Sequence, residues 1–303
     1  MKRTKITDKI TYVEPDSMVN FTSCAGIIVQ SKNKVLIDMN MGAKITPGLI
    51  EEEKPDVAII THYHLDHSIW IRHVNSCSDA VVFIPEAEEP YLTSLDFVIE
   101  HTAGPFGMSE KWKDFVENRL GYKPLKVYEC YNEQTTLKDM APEIVLVQTP
   151  GHSPSHTSFY FPDEKILFSG DMGLDRFGPW YGWADCNIKQ IVESILRLDG
   201  MDVKLILTSH GGMLKKGIQQ AWALCIHQIQ QREEKIIQKL EAGISKQDII
   251  RQGVFFFDKE KVQDPMRSFL NMWDTAMYNH HEALIKEGGL IKFFPEIKEL
   301  SKG

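Results

Sequence analysis

The segment Thr61-His62-Tyr63-His64-Leu65-Asp66-His67-Ser68 constrains this chain more than any other feature. It follows directly on DVAII, a β-branched run of the kind that fills a buried strand. Three imidazoles and a carboxylate within six residues are ligands that Zn2+ and similar divalent cations prefer. A strand that ends and turns aims alternate side chains at one point, and a helix that starts just afterwards supplies the next two. A cluster of surface histidines lacks this strand-end context. Whatever fold the chain adopts must therefore present this strand end as one wall of a polar site.

Three more ligand-type residues stand in matching places: His152 after VLVQTPG, Asp171 after ILFSG and His210 after LILTS. Each follows a β-branched run and sits beside small residues that let the backbone turn tightly. His62, His64, Asp66, His67, His152, Asp171 and His210 together are enough for two cations and no more. Strand-like runs recur at 34–38, 56–64, 80–85, 143–152, 157–161, 165–171 and 204–210. Helical stretches lie between some of them. Over 109–120, Ser109 is the candidate N-cap, Trp112, Phe115, Val116 and Leu120 form an apolar stripe, and Gly121 is the stop. The mixture predicts a layered α/β fold.

The texture changes after Gly212. Leu214, Ile218, Ala221, Trp222, Cys225 and Ile229 repeat at helical spacing, which predicts one long amphipathic helix starting near residue 213. Further helices are expected before Gly243, near 245–251 and over 265–286, where proline suits a first turn. The organisation expected is a catalytic domain over 1–212 and a helical extension over 213–303.

With 43% hydrophobic and 25% charged residues, the composition is that of a globular chain. The net charge of −8 is uneven, −10 over 1–212 and +2 over 213–303, so no broad basic field invites nucleic acid. No apolar run reaches the ~20 residues that span a bilayer, and the N-terminal stretch has no uninterrupted apolar core. A cytoplasmic protein with no membrane partner is expected. Cys24, Cys77, Cys130, Cys186 and Cys225 are odd in number, lack a Cys-x-x-Cys pair and are expected to be reduced.

The ordered series Asp38, His62-x-His64-x-Asp66-His67, His152, Asp171 and His210 resembles the metallo-β-lactamase superfamily over residues 20–212. The resemblance implies a four-layer αβ/βα fold, with His62, His64 and His152 on one metal and Asp66, His67 and His210 on the other. It places Asp171 as the bridge and Asp38 as the carboxylate that orients a ligand histidine. It also implies a dinuclear hydrolase that holds a hydroxide between two cations, with Asp66 and Asp171 catalytic and Asp66 relaying a proton. Zinc leads as the metal, with iron or manganese as alternatives.

Departures from the family's branches narrow the substrate. True β-lactamases of this fold lack a bridging Asp, and the flavodiiron branch has Glu where His64 stands. Glyoxalase II and persulfide dioxygenases carry an aromatic residue two places after the last histidine, where this chain has Gly212. N-acyl-homoserine lactonases use tyrosine at the position of Leu174. The layout with a helical tail is similar to the LACTB-type endoribonucleases, whose last part is winged-helix-like, and to quinolone-response thioesterases. The expectation is hydrolysis of an ester-like bond, thioester or lactone, in a small molecule. A phosphodiesterase or endoribonuclease of the same fold, or a ligand-binding regulatory protein that retains the metal site, are the alternatives.

Other residues are expected to be structural. His156 reads as a partner of its loop, His280 and His281 as helix surface, and Trp222 and Phe255 to Phe257 as core. Trp180, Tyr181 and Trp183 either line a substrate pocket or fill a core-packing loop.

Overall fold

A computed structural model describes residues 1–17, 22–77, 79–137, 141, 143–295 and 297. The side chain of Cys77, and 296 and 298–303 of the expected extension, lie outside the described residues.

The first sheet has seven strands in sequence order: β1 (Lys2–Lys5), β2 (Ile10–Glu14), β3 (Gly26–Gln30), β4 (Lys34–Ile37), β5 (Val57–Ile59), β6 (Val81–Pro85) and β7 (Glu129–Tyr131). Strands β1 to β4 pair antiparallel and β4 to β7 parallel. The parallel crossovers carry α1 (Thr46–Glu53), α2 (Leu65–Ser68), α3 (Val74–Cys77), α4 (Glu89–Thr93), α5 (Leu95–Thr102) and α6 (Ser109–Asp114). The second sheet contains β8 (Val145–Gln148), β9 (Thr157–Phe161), β10 (Ile166–Phe168), β11 (Leu205–Leu207) and β12 (Met213–Leu214), in the order β12-β11-β10-β9-β8. Between β10 and β11, which are parallel, runs α7 (Ile188–Asp199).

Side-chain alternation assigns the layers, because successive residues of a strand face opposite sides of the sheet. Ile27, Val29, Val35 and Ile37 of the first sheet meet Phe159, Phe161, Phe168 and Leu207 of the second in one core. The intervening Ile28, Leu36, Ala58 and Ile60 face outward onto the helices of the first half. On the second sheet, Leu167 and Ile206 face outward onto α7 and the C-terminal helices. The result is the expected four layers, helices on sheet on sheet on helices.

The C-terminal region holds α8 (Ile218–Glu241), α9 (Lys246–Gln252), α10 (Met266–Lys286) and α11 (Leu290–Phe293). Among the described residues after Leu214 there is no strand, so the helical form of the extension is the one adopted and not the winged one. Leu290–Phe293, near the end of the described chain, form a helical turn. The long helix starts at Ile218, later than the expected 213, because Met213–Leu214 pairs antiparallel with β11 and Gly217 takes a left-handed φ of 67° just before the helix. Trp222, Cys225, Ile226 and Ile229 of α8 share one core with Leu167, Ile191 and Ile206 of the front part.

Two local expectations are corrected. The residue before α6 is Met108 and Ser109 makes no capping bond; after Asp114 the chain loosens into a π-type turn over Phe115–Arg119 before Gly121 ends it at φ 67°. Of Phe255, Phe256 and Phe257, the first two pack partly against the core while Phe257 is exposed.

Candidate metal centre

The strands stop short of the candidate ligands. β5 ends at Ile59, so His62 and His64 lie on the turn that follows, and Asp66 and His67 open the short helix α2. His152 lies on the β8–β9 loop, Asp171 just past β10 and His210 just past β11. Two parallel neighbours in each sheet, β4 and β5, β10 and β11, therefore deliver Asp38, His62, Asp171 and His210 to the same edge of the sandwich. Gly170, at φ 59°, is required before Asp171, since a Cβ there would collide with the His156 imidazole.

All seven predicted ligands converge, in two groups whose ligand atoms lie within 4.8 Å of one another: His62, His64 and His152, and Asp66, His67, Asp171 and His210. Asp171 stands between them. Its Oδ1 is 3.3 Å from His67 Nε2, and its Oδ2 is 3.3 Å from His210 Nε2 and 3.6 Å from His152 Nε2. His152 Nε2 and His62 Nε2 approach to 3.2 Å, and Asp66 Oδ2 lies 3.0 Å from His210 Nε2.

The outer ring nitrogens are engaged, which leaves Nε2 of three histidines turned inward. His62 Nδ1 is 2.8 Å from the Thr61 hydroxyl, His67 Nδ1 is 2.8 Å from Asp38 Oδ2, and His152 Nδ1 is 2.9 Å from the Trp180 carbonyl. Such partners fix tautomer and ring orientation in metal sites. Asp38 also accepts from the Thr61 amide at 2.8 Å and hydroxyl at 3.1 Å. It does so from a left-handed backbone, φ 59°, that brings its neighbour Met39 so close to Gly26 that any Cβ on Gly26 would collide.

Burial pushes His62, His64 and His152 below the ordinary imidazole range, so these three are neutral with free lone pairs. Burial opposes charge on His210 as well, but Asp171 and Asp66 outweigh it and hold this ring well above its usual value. His64 Nε2, His67 Nε2 and Asp171 Oδ1 are buried with no hydrogen-bond partner. Buried imidazole nitrogens and a carboxylate oxygen without hydrogen-bond partners are atoms that a divalent cation satisfies, and the two groups fit two such ions.

A family model of the metallo-beta-lactamase superfamily matches residues 23–210. The chain belongs to that superfamily. Its relatives include a probable metallo-hydrolase of Bacillus subtilis (strain 168), 25% identical over 169 residues that cover 50% of this chain and 63% of that protein. A hydroxyacylglutathione hydrolase of Bartonella quintana is 28% identical over 112 residues, 37% of this chain and 32% of that protein. The chain thus spans less than two thirds of the length of either relative. Among solved structures, a metallo-beta-lactamase family protein from Thermus thermophilus aligns over 93% of this chain and 95% of its own with a TM-score of 0.71 at 19% identity, a likeness of fold. Among the described residues no helix is long and apolar enough to cross a membrane.

The aromatic run divides. Trp180 is half-buried beside the family's metal edge, its ring centroid 5.6 Å from that of His64 and 5.7 Å from that of His152. Tyr181 is fully buried, its hydroxyl 2.9 Å from His281 Nε2 and accepting from Arg232 at 3.1 Å. Trp183 packs against Trp112 and Trp273. Tyr181 and Trp183 are core-packing residues, and Trp180 alone of the three faces the cluster.

His156 has the structural role expected. Its Nδ1 meets the Thr149 hydroxyl at 2.8 Å, its Nε2 accepts from the Asp171 amide at 3.1 Å, and burial pushes it down to about 3. His280 and His281 overturn the surface expectation. His281 is fully buried on Tyr181, and His280 Nε2 donates to the Trp183 carbonyl at 2.7 Å.

Four residues that matter were not singled out from the sequence. Thr61 joins Asp38 to His62. Asn40 donates to the main-chain oxygen of Asp66 at 2.5 Å. Arg232 of α8 donates to the carbonyls of Phe177 and Pro179 at 2.8 and 2.6 Å. Glu88, beyond β6, is fully buried and raised by that burial to about 7. Only the position of Thr61 and Asn40 beside the motif residues could have signalled them; the other two carry no local pattern.

Proposed function

We propose that the chain is a two-cation metallo-hydrolase that cleaves an ester-like bond, thioester or lactone, in a small molecule. The observation that carries this is the meeting of two ligand groups at Asp171, with inward Nε2 and carboxylate atoms left without partners. Two divalent cations, zinc first among the candidates, would supply Lewis-acid polarisation of the scissile carbonyl and a water acidified toward neutrality.

The chain's own residues do the rest. His62, His64 and His152, neutral through burial, offer lone pairs on one side, while Asp66, His67 and His210 form the more charged side. Asp171 spans both and fixes their spacing. Asp66 has a partly accessible carboxylate whose Oδ2 faces His210, a position from which it can take the proton of an attacking water and return it to the leaving group. The Trp180 indole offers a flat apolar wall beside His64 and His152 for the substrate's non-reacting part.

Charge supports a small substrate over RNA. The front part carries a net −10, so its overall charge does not draw a polyanion toward it. The experiment is turnover of small thioesters and lactones beside phosphodiesters and single-stranded RNA at physiological salt, in the parent and in Trp180→Ala. The reading expects small-molecule hydrolysis that Trp180→Ala weakens mainly through KM. Efficient RNA cleavage without small-molecule turnover, indifferent to Trp180→Ala, would replace it with the nuclease reading.

A further inference from the structure

Glu88 lies outside both ligand groups, yet it is fully buried between the two loops that carry His62, His64 and His152. Its Oε2 accepts from the Tyr63 amide at 2.7 Å, and Tyr63 is the residue between His62 and His64. Its Oε1 accepts from the Ser153 hydroxyl at 2.5 Å and from the Ser155 amide at 2.8 Å, and Ser153 is the residue after His152. One carboxylate thus ties together the backbone flanking all three members of one ligand group.

Burying a carboxylate is costly, and a burial-raised group like this one persists only where several donors face it. The three donors that face it come only from the two ligand-bearing loops, one following β5 of the first sheet and the other connecting β8 and β9 of the second. The connection therefore crosses the sandwich at its functional edge.

We infer that Glu88 is a positioning residue for the His62, His64 and His152 cation site, holding two loops from different sheets at the separation that lets three imidazoles share one ion. It makes no bond to the Asp66, His67, Asp171 and His210 group, in which Asp38 holds the His67 ring. The inference deepens the two-cation reading and rests on it.

Glu88→Gln tests it nearly isosterically. An amide has one acceptor oxygen, so in either orientation its NH2 faces a backbone N–H, of Tyr63 or of Ser155, and one loop loses a backbone tie. Ser153→Ala removes a single donor and keeps the test available should Glu88→Gln fold poorly. The measurement is stepwise competition for Zn2+ between the full chain and a chromophoric chelator, with His64→Ala and His210→Ala assigning each release step to its group. Glu88→Gln is expected to weaken the His62/His64/His152 step by about tenfold to a hundredfold, the range for losing a partner that orients ligands. Ser153→Ala should move the same step by less, and both should leave the other step within about twofold.

Both steps moving equally would show that Glu88 only stabilises the fold, and an unmoved step in both variants would show no positioning role; either overturns the inference. A parent that binds two cations with variants unshifted sinks this inference alone, whereas a parent that binds none sinks the two-cation reading with it.

Discussion

Asp38→Asn isolates what a carboxylate does behind a ligand histidine. Three donors converge on Asp38: the Thr61 amide on Oδ1, and the Thr61 hydroxyl and His67 Nδ1 on Oδ2. Asparagine keeps the shape and tolerates the left-handed backbone that position 38 adopts at φ 59°, so the loop is not strained by the change. With its oxygen kept on the Thr61 amide, it turns an NH2 toward His67. That ring can then be satisfied only by accepting at Nδ1, which puts its proton on Nε2, the atom that faces Asp171 at 3.3 Å. A protonated Nε2 cannot bind a cation, so metal binding then forces a donor-on-donor contact at Nδ1. Loss of such a partner weakens metal affinity by about tenfold to a hundredfold, equivalent to about 1.4 to 2.7 kcal/mol. Chelator competition should show this at the step that His210→Ala assigns, with turnover falling at limiting zinc and recovering in part at excess. Unchanged affinity at both steps, in a variant that melts like the parent, would refute the reasoning.

Arg232→Met should destabilise the chain by about 2 to 5 kcal/mol in urea unfolding and lower kcat/KM as the Trp180 segment loosens, because it removes charge-assisted bonds to the carbonyls of Phe177 and Pro179 and to the Tyr181 hydroxyl; an effect below about 1 kcal/mol would show the clamp to be incidental. His281 supplies a pH prediction. Burial holds its folded pKa below the ordinary 6.5, so it contributes stability above about 6.5 that is lost as pH falls toward the folded value, where the unfolded chain binds the proton first. The melting temperature of the parent should therefore drop faster than that of His281→Gln below about pH 6.5, and parallel curves would contradict it.

Much of the front half was legible because strands buried on both faces leave continuous β-branched runs. Thr157–Phe161 matches its run residue for residue, and β4, β6, β10 and β11 fall within theirs. The runs overshoot at their C-terminal ends, at His62, His152, Asp171 and His210, since these residues continue the pattern in sequence while the backbone has already turned to form the site. Strands β1, β2, β3, β7 and β12 lie outside the runs read from the sequence. Lys2–Lys5 lies at the sheet edge with a mostly exposed, polar composition, and Met213–Leu214 is too short to show a period.

The candidate ligands could be read from the order of motifs, and all seven meet. What holds them could not, because contacts such as Glu88 to Ser153, 65 residues apart, or Arg232 to Pro179, 53 apart, leave no mark in a local window. The same holds for the C-terminal helices. Periodicity showed α8 to be amphipathic, but not that its middle meets the loop after Asp171. Cys225 donates to the Gly173 carbonyl at 3.2 Å and Arg232 reaches the carbonyls of Phe177 and Pro179. His280 and His281 were misplaced for the same reason: a helix pattern gives a face, and only the fold says that Tyr181 and Trp183 lie against it.

The account stands most directly on cation stoichiometry. Elemental analysis of the purified full chain, after expression in balanced metals and dialysis, should give close to two divalent ions per chain, falling to about one in His64→Ala and in His210→Ala, because each removes a ligand from a different group. A parent that holds no divalent ion, or one whose content neither substitution lowers, would contradict the two groups joined at Asp171.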